Sequence, residues 1–183
     1  MQVDGLRVRC VDINSESKNA ILLVHGLGGA IESWAGNIDE LARELRVIAL
    51  DLPGFGYSDK PRTNYTIRFY RDFVAKFIGA LGASPLTVAG SSLGGHIALE
   101  LAISRPDLVS KLVLVSPAGA LPRSFTGTPA LKRYVGVLQA KSPQEVKKAL
   151  FVVDNRPVDD EYARVVYERL AMPGAKQAFL SAL

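Results

Sequence analysis

One pentapeptide constrains the fold of this chain more than any other feature: Gly90-Ser91-Ser92-Leu93-Gly94. A short apolar run, Leu86-Thr87-Val88-Ala89, leads into it, and a helical pattern from Leu93 to Ser104 leads out. G-x-S-x-G between a strand and a helix predicts a sharp turn that lifts one serine hydroxyl clear of a sheet. The turn is too tight for side chains two residues either side of that serine. Centring on Ser92 puts Gly90 and Gly94 at those places, whereas centring on Ser91 puts Ala89 and Leu93 there and fails. Ser92 is therefore the candidate nucleophile, and Gly90 and Gly94 are its supports.

The surrounding patterns predict an α/β protein. Leu6 to Ile13 reads as a strand, and Ala20–Val24, Arg46–Leu50, Leu86–Ala89 and Lys111–Val115 as buried ones. Between them, Ile31, Trp34, Ile38, Leu41 and Leu45 recur at helical spacing, as do Ile67, Tyr70, Phe73, Val74, Phe77, Ile78 and Leu81. Continuous apolar strands alternating with helices imply a mostly parallel sheet covered by helices on both faces. From Ser124 onward no strand is expected. Residues 129–140, 143–151, 158–171 and 174–183 read as helices, with Pro129, Pro143, Pro157 and Pro173 near their starts.

Charge supports a boundary near Ala120. Residues 1–120 hold 12 basic and 12 acidic side chains, and residues 121–183 hold 10 and 6, so the net charge of +4 lies in the second segment. The basic residues are dispersed among acids, which argues for a solvated helical face and against nucleic-acid binding. Hydrophobic and charged fractions of 48% and 22% suit a globular domain. No apolar run reaches the roughly 20 residues of a membrane span. The single Cys10 cannot form an internal disulfide, and with no leader pattern at Met1 the expected location is cytoplasmic.

A second motif, His25-Gly26-Leu27-Gly28-Gly29, follows the Ala20–Val24 strand. Acyl transfer builds negative charge on a carbonyl oxygen, and preorganised backbone N–H groups stabilise it. A glycine-rich loop beside the turn predicts an oxyanion hole from the Leu27 and Leu93 amides, with His25, Gly26 and Gly28 shaping the loop. A dinucleotide loop is the competing reading. It fails at its third glycine, because position 31 is isoleucine. No cofactor is implied, and two histidines with one cysteine form no metal-ligand cluster.

These two motifs, with Asp51-Leu52-Pro53-Gly54-Phe55-Gly56-Tyr57-Ser58 after the next strand, resemble the α/β-hydrolase fold superfamily, in its serine-nucleophile branch, over nearly the whole chain. The resemblance implies a core of strands to about residue 120 and a helical cap at 121–183, apparently truncated. In that family the acid follows strand seven or six and the base histidine follows strand eight. Strand six here ends Ser116-Pro117-Ala118-Gly119 without a carboxylate, so neither partner has a matching position. His25 is expected to shape its loop, His96 and Trp34 to pack, and Asp154, Asp159 and Asp160 to serve helix starts.

The expected activity is hydrolysis of a small ester-like carbonyl substrate, of carboxylesterase or lactonase type. Thioesterase and carbon–carbon bond hydrolase are alternatives, as is a non-catalytic remnant or binding protein. A serine nucleophile argues against the aspartate-dependent dehalogenases and epoxide hydrolases of the same fold. Without the triad acid and base, little activity is expected from these residues alone. The apolar strand 111–115 is expected to form a bare sheet edge that recruits a second copy or a complementing chain.

Overall fold

The structure is a computed structural model that describes residues 1–119, 129–155 and 157–183. A small hairpin pairs β1 (Gln2–Val3) with β2 (Leu6–Arg7), turning on Asp4 and Gly5, both at positive φ. Five further strands form the central sheet: β3 (Cys10–Ile13), β4 (Ala20–Val24), β5 (Arg46–Leu50), β6 (Leu86–Ser91) and β7 (Val109–Val115). Their order is β3-β5-β4-β6-β7. β3 runs antiparallel to β5, and the other pairings are parallel, with Leu22 flanked by Ile48 and Val88.

The sheet is thus mostly parallel, as expected, with β3 its one antiparallel strand among those described, but the expected strand from Leu6 to Ile13 is split in two. The break has a hydrogen-bonding cause: the Arg9 amide donates to Ser58 Oγ at 2.9 Å, and its carbonyl accepts from the Asp51 amide at 2.9 Å. Those groups tie the chain to the loop after β5.

Side-chain alternation sorts the strands onto two buried faces. Leu22, Val24, Ile48, Leu50 and Val88 pack under α2 (Ile67–Leu81) and α3 (Leu93–Ser104), against Tyr70, Phe73, Phe77, Ile97 and Leu101. Ile21, Leu23, Val47, Ala49 and Ala89 face the other way, against Ile31 and Ile38. That second cover begins as a 3₁₀ turn over Ile31–Trp34 and continues as α1 (Ala35–Leu41), shorter than the helix expected to Leu45. Thr66 caps α2 through the Phe69 amide, and Gly82 at φ 61° ends it.

Four helices follow: α4 (Pro129–Gln139), α5 (Pro143–Asp154), α6 (Asp160–Ala171) and α7 (Ala175–Ala182). Val137, Val146, Ala163 and Val166 give α4–α6 a small core of their own. α7 instead inserts Ala178 and Phe179 into the main core, and the Ser181 hydroxyl accepts the Tyr65 amide at 3.0 Å. The expected boundary near Ala120 lies outside the described residues.

Candidate active site

Ser92 occupies the one-residue joint between β6 and α3, at φ 51° and ψ −114°. A residue bearing a Cβ is strained there and persists only where its surroundings enforce it. The Ser92 amide donates to Val115 O at 3.0 Å, and its carbonyl accepts from the His96 and Ala118 amides at 3.1 and 2.9 Å. The flanking glycines are required by space. A Cβ at Gly90 would stand 2.2 Å from Gly94 O, and one at Gly94 would stand 2.3 Å from Val24 O. Leu93 opens α3, where first-turn amides have no intrahelical acceptor and point outward.

The glycine loop after β4 lies against this serine. A Cβ at Gly26 would approach Ser92 Cβ to 3.2 Å and its Oγ to 3.9 Å. Within the loop the Gly29 amide donates to Gly26 O at 3.0 Å, and Gly28 sits at φ +71°. His25 is fully buried, and both its nitrogens are engaged. Nε2 accepts the Leu52 amide at 3.0 Å, so Nδ1 carries the proton and donates to Gly26 O at 2.7 Å. Burial pushes its pKa down, which favours this neutral form. With neither nitrogen free, the imidazole ties the glycine loop to the turn after β5 and cannot take a proton from Ser92.

Asp51 anchors the same turn. Its fully buried carboxylate accepts the Ile31 amide on Oδ1 at 2.8 Å and the Tyr57 amide on Oδ2 at 2.8 Å, with Arg9 Nη1 at 3.3 Å. A Cβ at Gly56 would collide with that carboxylate at 2.1 Å. The Asp51-to-Ser58 motif is therefore a brace holding two loops together. Beside it, Glu32 Oε1 is 2.7 Å from both Arg9 Nη2 and Arg169 Nη2. Burial would raise the Glu32 carboxyl, but these guanidinium groups outweigh it and hold the pKa down at about 2.

A cavity of 240 Å³ lies over Ser92, floored by Gly26–Gly29, Ser33 and Ser91. Its roof is helical: Tyr134 and Val137 from α4, Leu150 and Val153 from α5, Tyr162, Val166 and Leu170 from α6, and Phe179 from α7. None of these roof residues was singled out from the sequence. Their signal was the i, i+4, i+8 spacing of 162, 166 and 170, which marks one helix face without saying what it faces. No Asp, Glu or His is among the described lining residues. His96 lies under the loop after β7, where a Cβ at Gly119 would meet its ring at 3.1 Å. Trp34 packs against the second core cluster. Asp159 caps α6 through the Tyr162 amide and Asp160 pairs with Lys147, while the Asp154 side chain lies outside the described residues. No group of three His, Cys, Asp or Glu suited to a metal occurs among the described residues, and no described helix is long and apolar enough to cross a membrane.

Residues 19–181 match the family described as alpha/beta hydrolase fold. The chain belongs to the alpha/beta hydrolase fold family. Among its relatives within and around that family is 2-hydroxymuconate semialdehyde hydrolase of a Pseudomonas species, 34% identical over 87% of this chain and 56% of the relative. The dihydrolipoyllysine-residue acetyltransferase component of the acetoin cleaving system of Cupriavidus necator is 39% identical over 79% of this chain and 37% of the relative. A solved structure of a meta-cleavage product hydrolase from Pseudomonas fluorescens superposes with a TM-score of 0.81 at 29% identity, over 97% of this chain and 65% of that one. This alpha/beta hydrolase chain thus spans less than two thirds of the length of each.

Proposed function

We propose that this hydrolase chain carries the nucleophile and oxyanion hole of a serine hydrolase acting on an ester-like carbonyl. The observation that carries the reading is the strained Ser92 joint at the floor of the cavity, beside the glycine loop. Ser92 Oγ attacks the carbonyl carbon, and the carbonyl oxygen takes the negative charge. The Leu27 and Leu93 amides donate to that oxygen, which removes the cost of reorganising solvent around it. The serine proton must pass to a base, and the described lining residues supply none. These 183 residues alone are therefore slow, the oxyanion hole and binding giving only residual rate. A reducing, cytoplasmic setting belongs to the same proposal, on the single Cys10.

The test uses the whole chain with an activated short-chain ester and a fluorophosphonate probe, beside Ser92→Ala. Slow labelling that disappears in Ser92→Ala is expected, with turnover close to background. Labelling that survives the substitution overturns the role of Ser92, and fast Ser92-dependent turnover overturns the missing base. A second reading, carbon–carbon bond hydrolysis, is favoured by the names of the Pseudomonas relatives and by the aliphatic and tyrosine roof. A ring-fission dienoate consumed faster than the ester selects it. A non-catalytic binding role is selected if the chain binds either compound and turns over neither.

A further inference from the structure

The glycine loop is braced on one side by His25 and the Asp51 turn, and on the other by a residue from the far end of the chain. A Cβ at Gly28 would stand 2.5 Å from Phe179 Cε2, so the ring fills the place where any other residue would carry its side chain. Phe179 is only 3% exposed. It is wedged between Phe55 at 6.3 Å, edge-on, and Tyr134 at 5.5 Å. The helix beneath it is fixed as well: a Cβ at Gly54 would meet Ala178 Cβ at 2.7 Å, and Ser181 Oγ accepts the Tyr65 amide at 3.0 Å. Gly28 at φ +71° adds little stiffness of its own, since glycine visits both halves of backbone space with similar ease.

We propose that Phe179 is a positioning residue: its ring clamps Gly28 and thereby holds the Leu27 amide at the angle the oxyanion requires. The proposal rests on the serine-hydrolase reading above for its catalytic meaning, though the mechanical coupling stands apart from it. An aromatic ring suits this task because it is large, flat and rigid, with two side-chain torsions. Preorganised donors lose effect when their position loosens, since each must then be re-aligned during the reaction. Access to the cavity and the geometry of its floor are consequently linked through one side chain that lines the roof and touches the loop.

Two readouts on the full chain test this. Amide hydrogen exchange compares the wild type with Phe179→Ala and with Phe179→Met, whose thioether reaches about as far as the ring. The alanine variant is expected to speed exchange at Leu27–Gly29 by tenfold or more, while β4 amides Ile21–Val24 change little. Methionine is expected to restore most of the protection. An unchanged loop, or a rise shared equally by loop and β4, overturns the proposal, the latter because it marks general loosening. The rate of fluorophosphonate labelling at Ser92 is the second readout, with a tenfold or greater loss expected in alanine and near-recovery in methionine. If the loop loosens selectively yet labelling is independent of Ser92, the coupling stands and the serine-hydrolase reading falls. Should Phe179→Ala fail to fold, Phe179→Val takes its place, since its short side chain leaves the space beside Gly28 open. Exchange at Leu27–Gly29 is then expected to rise about threefold or more over that of Ile21–Val24 with labelling slowed to match, and an unchanged loop overturns the clamp.

Discussion

Arg169 of α6 reaches across to Glu32 of the 3₁₀ turn after the glycine loop, Nη2 to Oε1 at 2.7 Å, and its guanidinium lies 4.7 Å from the centre of the Tyr57 ring. Arg9 covers the same ring at 5.1 Å and shares the same carboxylate oxygen at 2.7 Å. Two cations lie against one aromatic ring and converge on one acid, which joins α6 to the chain beside the sheet. The linkage is electrostatic, so it responds to pH.

Glu32 titrates at about 2 in the fold against an ordinary value of 4.5. A depressed carboxyl contributes stability that is present above 4.5 and lost as pH falls toward 2. Glu32 is 34% exposed, so solvent screening reduces the contribution to about 1–2 kcal/mol. Unfolding free energies from urea melts at pH 6 and pH 3 are expected to differ by up to that much more in wild type than in Glu32→Gln. Equal pH dependence in the two proteins would show that the linkage contributes nothing.

His25 has the opposite charge logic with the same pH direction. Its folded pKa lies below 6.5 because burial disfavours the cation, so the unfolded chain binds the proton more readily. Stability is full above 6.5 and falls below it, by up to about 1.4 kcal/mol per pH unit until the folded value is reached. Denaturant melts between pH 7.5 and 5.5 are expected to show this slope, and His25→Gln is expected to flatten it. Because both ring nitrogens are bonded and buried, the glutamine variant should also lose about 2–4 kcal/mol at pH 7.5.

The Ser92 joint supplies a pair of opposed outcomes. Gly94→Ala drives a Cβ into Val24 O at 2.3 Å and is expected to cost about 3 kcal/mol or more. Ser92→Gly relieves the strain at φ 51° and is expected to raise stability by about 1 kcal/mol while removing the hydroxyl. Thermal melts of both variants beside Ser92→Ala check this. A glycine variant no more stable than the alanine one would mean the joint holds no strain.

β7 leaves Val113, Leu114 and Val115 exposed by 45%, 38% and 45% on a strand that, among the described residues, pairs only with β6. Light scattering behind size exclusion is expected to show self-association at micromolar concentration, weakened by Val113→Lys, since charge on an edge opposes strand pairing. A monomer at all concentrations would remove the edge as an interface.

The fold was legible where one physical demand dominated. The buried strands at Ala20–Val24 and Arg46–Leu50 announced themselves by unbroken apolar runs, and Gly90 and Gly94 by a clash that admits no Cβ. Leu6–Ile13 misled because its period is strand-like throughout, while the break at Arg9 depends on Ser58, 49 residues away. The helix from Ile31 was overextended to Leu45 because periodicity does not reveal that Asn14, just after β3, donates to the Ala42 and Leu45 carbonyls. Phe179 looked like an ordinary apolar residue of a terminal helix. Its place against Gly28 is set by tertiary packing, which local spacing does not encode.

The two margins of the sheet are unequal. β3 is four residues long, runs against its neighbour and carries Asp12 in a bidentate pair with Arg46 at 2.8 and 2.6 Å, whereas β7 is seven residues long and apolar from Leu112 to Val115, with Ser110 and Lys111 at its start. Among the described residues, β7 is therefore the margin better suited to strand addition. Two copies meeting through β7 about a two-fold axis would consume it on both sides and leave charged, short margins outermost. For the described residues such a pairing closes on itself, giving a discrete dimer with a continuous ten-stranded sheet and not a fibre.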